Sequence, residues 1–402
     1  MSQLLKIVWP LAVAQTLVWA AMYYSFPALL LAWEQDLGWS KTELSGALTA
    51  ALLVSAFLAP VVGRAIDRGY GTRVFTGSAL LGAFSLALLS GVTALWQFYT
   101  VWIILGAAMA GTLYEACFAV LTKTMGERRK QAITIVTLIA GFAGTLSFAG
   151  CAILVNLVGW RGTMLVLAAI VSCIAVPLIW LGCRATDAYG KLHEVQPDNA
   201  SPDTSSVKTF RFTQSYAFWL LALGFSMMAL NHSVLLTHLL PLFDERGISS
   251  STAIFAASMI GPMQVVGRLI MLTVERRVSS LGIFCACLIA MTVASLSLLG
   301  ASAMPLLIIG FVFLQGAGNG VISILRPVIT ADLLGKQNFG LIAGLLAVPF
   351  MGATAAAPTI AALIWGMGGY DLVIWFAIGA AILSLIALMG AASQSQSDRR
   401  ST

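Results

Sequence analysis

A chain of 402 residues, 59% hydrophobic and only 9% charged, with a positive mean hydropathy, lacks the polar surface that a soluble globule of this size needs. Its net charge of +6 is dispersed among short segments between apolar runs, without the aromatic-interleaved basic surface that binds nucleic acid. Together these facts place the chain in a lipid bilayer, where about 20 apolar residues make one helical crossing.

Apolar runs fall at about 7–32, 44–66, 74–92, 97–122, 132–158 and 162–183, and again at about 214–243, 250–274, 278–300, 303–328, 338–367 and 369–391. The expected fold is therefore an all-α integral membrane protein of twelve transmembrane helices in two six-helix halves. The first run is too long and too well continued for a cleaved signal peptide and is expected to persist as a span. Arg184 to Arg211 is the long polar interruption, with Asp187, Lys191, His193, Glu194, Asp198, Pro202, Asp203 and a Ser/Thr cluster. Such a composition cannot bury a core. The expected division is an N-terminal half at 1–183, a cytoplasmic linker at 184–212, a C-terminal half at 213–392 and a disordered tail at 393–402.

Of the 22 Lys and Arg, Lys41, Arg161 and Arg246 fall in loops on one side, Arg268 falls within a helix, and the rest fall on the other side. That bias puts both termini in the cytoplasm, across a bacterial-type inner membrane. The six cysteines lie in or at the ends of apolar runs without metal-ligand spacing and read as packing residues. A faint repeat links the halves: Val61-Val62-Gly63-Arg64 is echoed by Val265-Val266-Gly267-Arg268, and Arg73-Val74 by Arg277-Val278.

Between the second and third runs stands the charged stretch Gly63 to Arg73. Its charges cannot enter hydrocarbon, so it must turn at a membrane surface, with Gly63, Gly69 and Gly71 permitting the reversal. Gly63, Asp67, Arg68, Gly71 and Arg73, in this position after the second span, resemble the cytoplasmic loop signature of the major facilitator superfamily. The resemblance implies a secondary transporter, not an enzyme, whose two helical halves rock around a central cavity while this loop acts as a cytoplasmic gate. After the eighth run Glu275-Arg276-Arg277 is a weaker echo, without the glycines.

Arg268 is the charge most in need of explanation. It lies eight residues before Arg276, about 12 Å along a helix, and a guanidinium at a helix centre costs about 2.5 to 3.5 kcal/mol. It reads either as a cavity cation that grips an anionic or carbonyl-bearing solute, or as an inner-gate arginine bonded to helix ends. Together with Tyr24-Ser25-Phe26-Pro27, Gly38-Trp39-Ser40 and Glu127-Arg128-Arg129, it is similar to the monocarboxylate and oxalate/formate branch of the superfamily. In proton-coupled animal members of that branch the corresponding arginine binds carboxylate, aided by an aspartate four residues earlier and a first-span lysine. Here those positions hold Gln264 and Ala28.

Glu115, beside Tyr114 on the fourth run, is an intramembrane acid that reads as a proton-coupling carboxyl or as a static partner of Arg268 or of a helix end. Asn231, His232 and His238 enrich the seventh run; Asn231 is expected among the solute-binding groups, and the histidines read as packing residues or as a proton path. Gln15, Trp19 and Tyr23 recur every four residues on the first run, as do Gln315 and Asn319 on the tenth. Such stripes suit a cavity wall that stacks on and bonds a solute, or glue between helices.

The fifth run lacks the Gly-Pro element typical of the superfamily's drug/proton antiporters. No phosphate loop, hydrolase arrangement or metal cluster is present, so no cofactor or metal is expected. The expected partners are a small-molecule solute, the proton as coupling ion and the lipid bilayer, with the chain working as a monomer. A small carboxylate on Arg268 is the first expectation for cargo. A neutral or aromatic solute such as a riboflavin-like vitamin, stacked on Trp19 and Tyr23 and bonded by Gln15, Gln264 and Asn319, is the alternative, followed by efflux of drugs or metalloids. A membrane sensor on the same scaffold is the competing class.

Overall fold

The structure, a computed structural model, describes residues 2–192, 215–304, 306–334 and 339–401. All of their regular elements are helices, and ten helical stretches are long and apolar enough to cross a membrane. Two of these, of 62 and 50 residues, are too long for one crossing. The first breaks at Gly159 (φ 69°) and the second at Gly368 and Gly369 (φ 68° at Gly369), a backbone region that glycine enters without strain. Each therefore folds into two spans, and the described residues form twelve. They divide into two compact units, Met1–Asn199 and Ala200–Thr402.

The sixth span does not stop at Cys183. Its helix Val176–Leu192 keeps a buried face of Ile179, Gly182, Cys183 and Thr186, and this periodicity carries it into the stretch expected as linker. There Asp187 accepts a hydrogen bond from Thr72 Oγ1 at 3.3 Å. Residues 193–212 of the expected linker lie outside the described residues. The helix of the twelfth span likewise continues through the expected tail to Ser401.

In the N-terminal unit the first span changes pitch midway: Ser2–Val18 and Ser25–Leu37 are α-helical, and Trp19–Tyr24 is a π-helical turn. The wider turn displaces backbone carbonyls from their ladder, and hydroxyls meet them, Ser147 donating to Ala20 O at 2.9 Å and Ser25 to Ala21 O at 2.6 Å. The fourth span breaks between Leu95–Ala110 and Tyr114–Met125. The Thr112 carbonyl at this break accepts from Gln15 Nε2 at 2.8 Å, tying the first span to the fourth.

Both units contain a seam where helix backbones meet. The second and fourth spans touch at Gly106, where a Cβ would lie 2.2 Å from Ala51 O. The eighth (Ser250–Val274) and tenth (Leu306–Leu334) touch at Gly267, Gly316 and Gly320, where a Cβ would lie 2.4, 2.7 and 2.3 Å from the carbonyl oxygens of Ala317, Ile260 and Gln264.

Each unit is also clasped at one end. Asp36, ending the first span, accepts from Trp160 Nε1 and Arg161 Nη1, both at 2.7 Å, while Arg161 reaches Val92 O. In the C-terminal unit the charges are exchanged. Arg246, ending the seventh span, pairs with Asp371 and donates to Leu299 O at 3.2 Å, and Glu245 accepts from Trp365 Nε1 at 2.6 Å and from the Tyr370 backbone N–H at 3.2 Å. Beneath the first clasp Trp33 meets Phe26, Phe98 and Trp160 edge-to-face at 5.2 to 6.4 Å between ring centroids.

The charged turn reverses through one glycine, not three. Gly69 alone takes positive φ (93°), whereas Gly63 lies inside the helix Lys41–Ala65 and Gly71 begins the helix Gly71–Leu89, packed against Val120. Lys123 Nζ donates to Ile66 O at 3.0 Å, and Arg73 lies over the Tyr70 ring at 6.0 Å. Arg68 is exposed, and the Asp67 side chain lies outside the described residues.

Gly106→Ala and Gly320→Ala are expected to destabilise the purified protein by about 1 to 3 kcal/mol each through overpacking. Gly150→Ala and Gly310→Ala, where a Cβ meets nothing within 4 Å, should melt at or above the wild-type temperature. Equal melting of all four variants would show that no backbone seam exists.

Candidate functional site

Arg268 is buried, at 8% exposure, on the eighth span. Its Nε donates to Gly320 O at 3.1 Å and its Nη2 to Ser323 Oγ at 3.3 Å, and Ser323 in turn donates to Gly320 O at 2.8 Å. The seam makes these contacts possible: with Gly267 and Gly320 lacking side chains, the guanidinium lies against the tenth span's backbone. Arg64, its counterpart in the sequence repeat, is exposed and donates to its own helix at Pro60 O, 3.2 Å away. The shared Val-Val-Gly-Arg thus has two outcomes, a surface arginine in one unit and an interhelical arginine in the other.

Gln315, Asn319, Ser323 and Arg326 follow at helical spacing, so one face of the tenth span is polar over more than two turns. Each meets another helix. Gln315 Nε2 donates to Asn231 Oδ1 at 3.1 Å, and Asn319 Nδ2 lies 3.2 Å from His232 Nε2. Ser323 meets Arg268, and the Arg326 guanidinium lies 3.9 Å from the centroid of the Phe350 ring. Sequence reasoning missed Ser323 and Arg326, the latter counted with the charges of one membrane side although the run 303–328 contains it; extending the Gln315–Asn319 stripe by one turn reaches Ser323 and by two turns Arg326.

The seventh-span polar residues separate by role. Asn231 is fully buried, donating to Ser295 Oγ at 3.0 Å and to Ala377 O at 2.9 Å while accepting from Gln315. These bonds join the seventh span to the ninth, tenth and twelfth. His238 is also fully buried, between Tyr370 OH at 3.0 Å and Pro358 O at 3.1 Å. A carbonyl can only accept, so Nε2 carries its proton and Nδ1 takes the Tyr370 hydroxyl. For His232 the amide donor of Asn319 assigns Nε2 as acceptor, which leaves Nδ1, buried and without a partner, as the protonated nitrogen.

In the N-terminal unit the π-helical turn has a direct consequence for the aromatic residues. At its wider pitch, residues four and five apart both stand beside the first, so Trp19 contacts Tyr23 at 5.2 Å and Tyr24 at 6.2 Å, with Tyr114 of the fourth span at 4.7 Å. Tyr114 stacks on Phe118 at 5.0 Å and 12°. Trp19 Nε1 and Gln15 Oε1 are buried without partners at the edge of this cluster. Glu115 is exposed and occupies the first turn of Tyr114–Met125, where the positive end of the helix stabilises a carboxylate. The C-terminal unit thus offers a fixed cation and amides, and the N-terminal unit aromatic faces and a carboxyl group.

A profile of the Major Facilitator Superfamily matches residues 11–311. The chain belongs to the Major Facilitator Superfamily. The family and fold are those of multi-pass membrane transporters, not enzymes. This superfamily member is 27% identical over 295 residues to Monocarboxylate transporter 12 of Xenopus laevis, a match covering 68% of this chain and 64% of that protein. It thus spans slightly less than two thirds of that relative's length, and the likeness is consistent with the monocarboxylate branch expected from the motifs. Its fold matches crystal structures of the nucleoside transporter NupG (TM-score 0.71, 14% identity, 96% of this chain and 98% of that one) and of a D-xylose-proton symporter (0.69, 13%, 94% and 95%). A bacterial homologue of the human lysosomal transporter Spinster, in an inward-facing and occupied conformation, matches with a TM-score of 0.67 at 13% identity over 99% of this chain and 97% of that one.

Proposed function

We propose that this superfamily member is a secondary transporter that carries a small organic carboxylate across a cell membrane by alternating access, and that Arg268 holds the carboxylate. The observation behind this reading is the buried guanidinium fixed by Gly320 O and Ser323 Oγ. These contacts hold the planar guanidinium in a set orientation, and carboxylate is the anion whose geometry a guanidinium matches. Gln264, one turn before Arg268, and the Asn319–His232 pair supply further hydrogen bonds to the solute. The name of the monocarboxylate relative supports the cargo class, and that of the xylose symporter supports the proton as coupling ion. The Lys and Arg distribution supports a bacterial-type inner membrane with cytoplasmic termini. The proposed working unit is a monomer.

Flux of radiolabelled carboxylates into proteoliposomes tests the role of Arg268. Replacing it by alanine removes charge-assisted hydrogen bonds and should weaken uptake by about 10- to 100-fold, with Arg268→Lys intermediate. Equal uptake by wild type and Arg268→Ala would refute the carboxylate site.

Glu115 is the proposed proton carrier, being a carboxyl group placed next to the Trp19–Tyr114 cluster. Glu115→Gln should make uptake indifferent to an imposed pH gradient, and uptake by that variant that still follows the gradient would exclude the role.

A second reading follows from the contacts of Trp19 with three tyrosines and from its unpartnered indole N–H. The cargo is then a neutral or aromatic solute of the flavin-like kind, and its flux survives Arg268→Ala while falling on Trp19→Leu. Nothing in the site geometry favours drugs or metalloids over these.

A further inference from the structure

At the end of the N-terminal unit that carries the charged turn, the third span (Gly71–Leu89) packs against the last turns of the sixth, in the helix Val176–Leu192. Thr72 marks the contact: its Oγ1 donates to Asp187 Oδ2 at 3.3 Å, and it also meets the Cys183 thiol one turn earlier on the same helix. Arg73 follows Thr72, and Arg184 follows Cys183. The two helices, third and sixth of an alternating series, run antiparallel. In right-handed helices so arranged, one step beyond the facing residues turns both chains toward the same side, so Arg73 and Arg184 stand level with each other on one side of the contact. Packed helix axes lie about 8 to 10 Å apart, a gap that two arginine side chains span.

Both arginines are exposed, and an aromatic ring steers each of them. The Arg184 guanidinium lies 4.1 Å from the centroid of the Trp180 ring, and that of Arg73 lies 6.0 Å from the Tyr70 ring. Among the described residues neither guanidinium forms an ion pair. Asp187, one turn after Arg184, accepts from Thr72 instead. Two like charges are thus held side by side, which favours an anion from outside the chain. The same side of the helix pair continues as apolar surface. Leu80 and Phe84, two and three turns beyond Arg73, and Trp180 and Pro177, one and two turns before Arg184, are all exposed. In a membrane-spanning unit such a strip faces acyl chains, and two cations at its head match an amphipathic anion.

We propose that Arg73 and Arg184 form a binding site for an anionic phospholipid. Its headgroup phosphate lies between the two guanidinium groups, and its acyl chains lie along Leu80, Phe84 and Trp180. A soluble anion would use the cations and leave the apolar strip unused. The site is separate from Arg268 and independent of which solute is carried. Bound lipid joins the third span to the sixth beside the Thr72–Asp187 hydrogen bond, so it stabilises the folded protein.

The experiment titrates the purified full-length protein, in neutral detergent, with phosphatidylglycerol, with phosphatidylcholine of the same chains, and with glycerol phosphate, and follows the melting temperature. Phosphatidylglycerol is expected to raise it at concentrations about 10- to 30-fold below those that phosphatidylcholine needs, the scale of two basic groups acting on one anionic headgroup. Glycerol phosphate, which lacks the chains, should leave it unchanged. The double variant Arg73→Gln/Arg184→Gln should bring phosphatidylglycerol down to the phosphatidylcholine level, and Arg73→Lys/Arg184→Lys, which keeps the charge but not the planar fork, should keep part of the preference. Arg276→Gln/Arg277→Gln removes the same charge from exposed positions of the other unit and should keep all of it. If the first double variant does not fold, the lysine pair and the single variant Arg184→Gln carry the comparison. The proposal is overturned if wild type responds equally to the two lipids, if the preference survives loss of Arg73 and Arg184, or if it falls as far in the Arg276/Arg277 control. A shift with glycerol phosphate as large as that with phosphatidylglycerol overturns it too, by showing a site for the free anion.

Discussion

The C-terminal unit is organised around one interaction, a guanidinium laid against a helix carbonyl across a seam without side chains. Burying an arginine in a membrane helix is costly, and the cost is offset only if its donors find acceptors inside the protein. Arg268 finds them at Gly320 O and Ser323 Oγ, and it can do so because Gly267 and Gly320 let the eighth and tenth spans approach until their backbones touch. Side chains at those two positions would hold the helices apart and leave the charge to seek water. The glycines and the arginine are therefore one device, and the polar face of the tenth span extends it in both directions, to the seventh span through Gln315 and Asn319 and to the eleventh through Arg326.

The N-terminal unit solves the same packing problem with different chemistry. It has its own glycine seam at Gly106 and its own buried amide tie, Gln15 to the broken fourth span, yet its repeat arginine points away. In place of a cation it presents Trp19, Tyr23, Tyr24 and Tyr114, gathered by a change of helical pitch. The end clasps show the same divergence. An acid on the first span and a base after Gly159 become a base on the seventh and an acid beside Gly369; the tryptophan bonds the paired acid, Asp36, in the first unit and the neighbouring Glu245 in the second. The two units share these mechanical parts and differ in the buried polar and aromatic groups they hold.

Much of the architecture was legible in the sequence because lipid imposes a single strong rule: an apolar run of about 20 residues must be a helix. The twelve spans and the family loop follow from it. What was not legible depends on features with no periodic signature. The π-helical turn at Trp19–Tyr24 and the break at Gly111 to Leu113 are local departures from α geometry inside continuous apolar runs, and it is these that assemble the aromatic cluster and free the Thr112 carbonyl. The loop glycines were over-read: three were expected to share the reversal that Gly69 makes alone. Asn231, expected to bond a solute, spends its amide on three neighbouring helices, a distinction between glue and site that composition and spacing do not carry. Arg326 was hidden among the Lys and Arg counted for topology.

The central claim is that the stretch around Arg268 and Ser323 is reached by a carboxylate. The most direct measurement is solute protection of a single cysteine placed at Ser323, an exposed position beside the guanidinium, in a background freed of the six native cysteines. The account predicts that a membrane-permeant maleimide modifies this cysteine and that transported carboxylates slow the modification, with the protection lost when Arg268 is also replaced by alanine. Modification at the same rate with and without every carboxylate tested would contradict it.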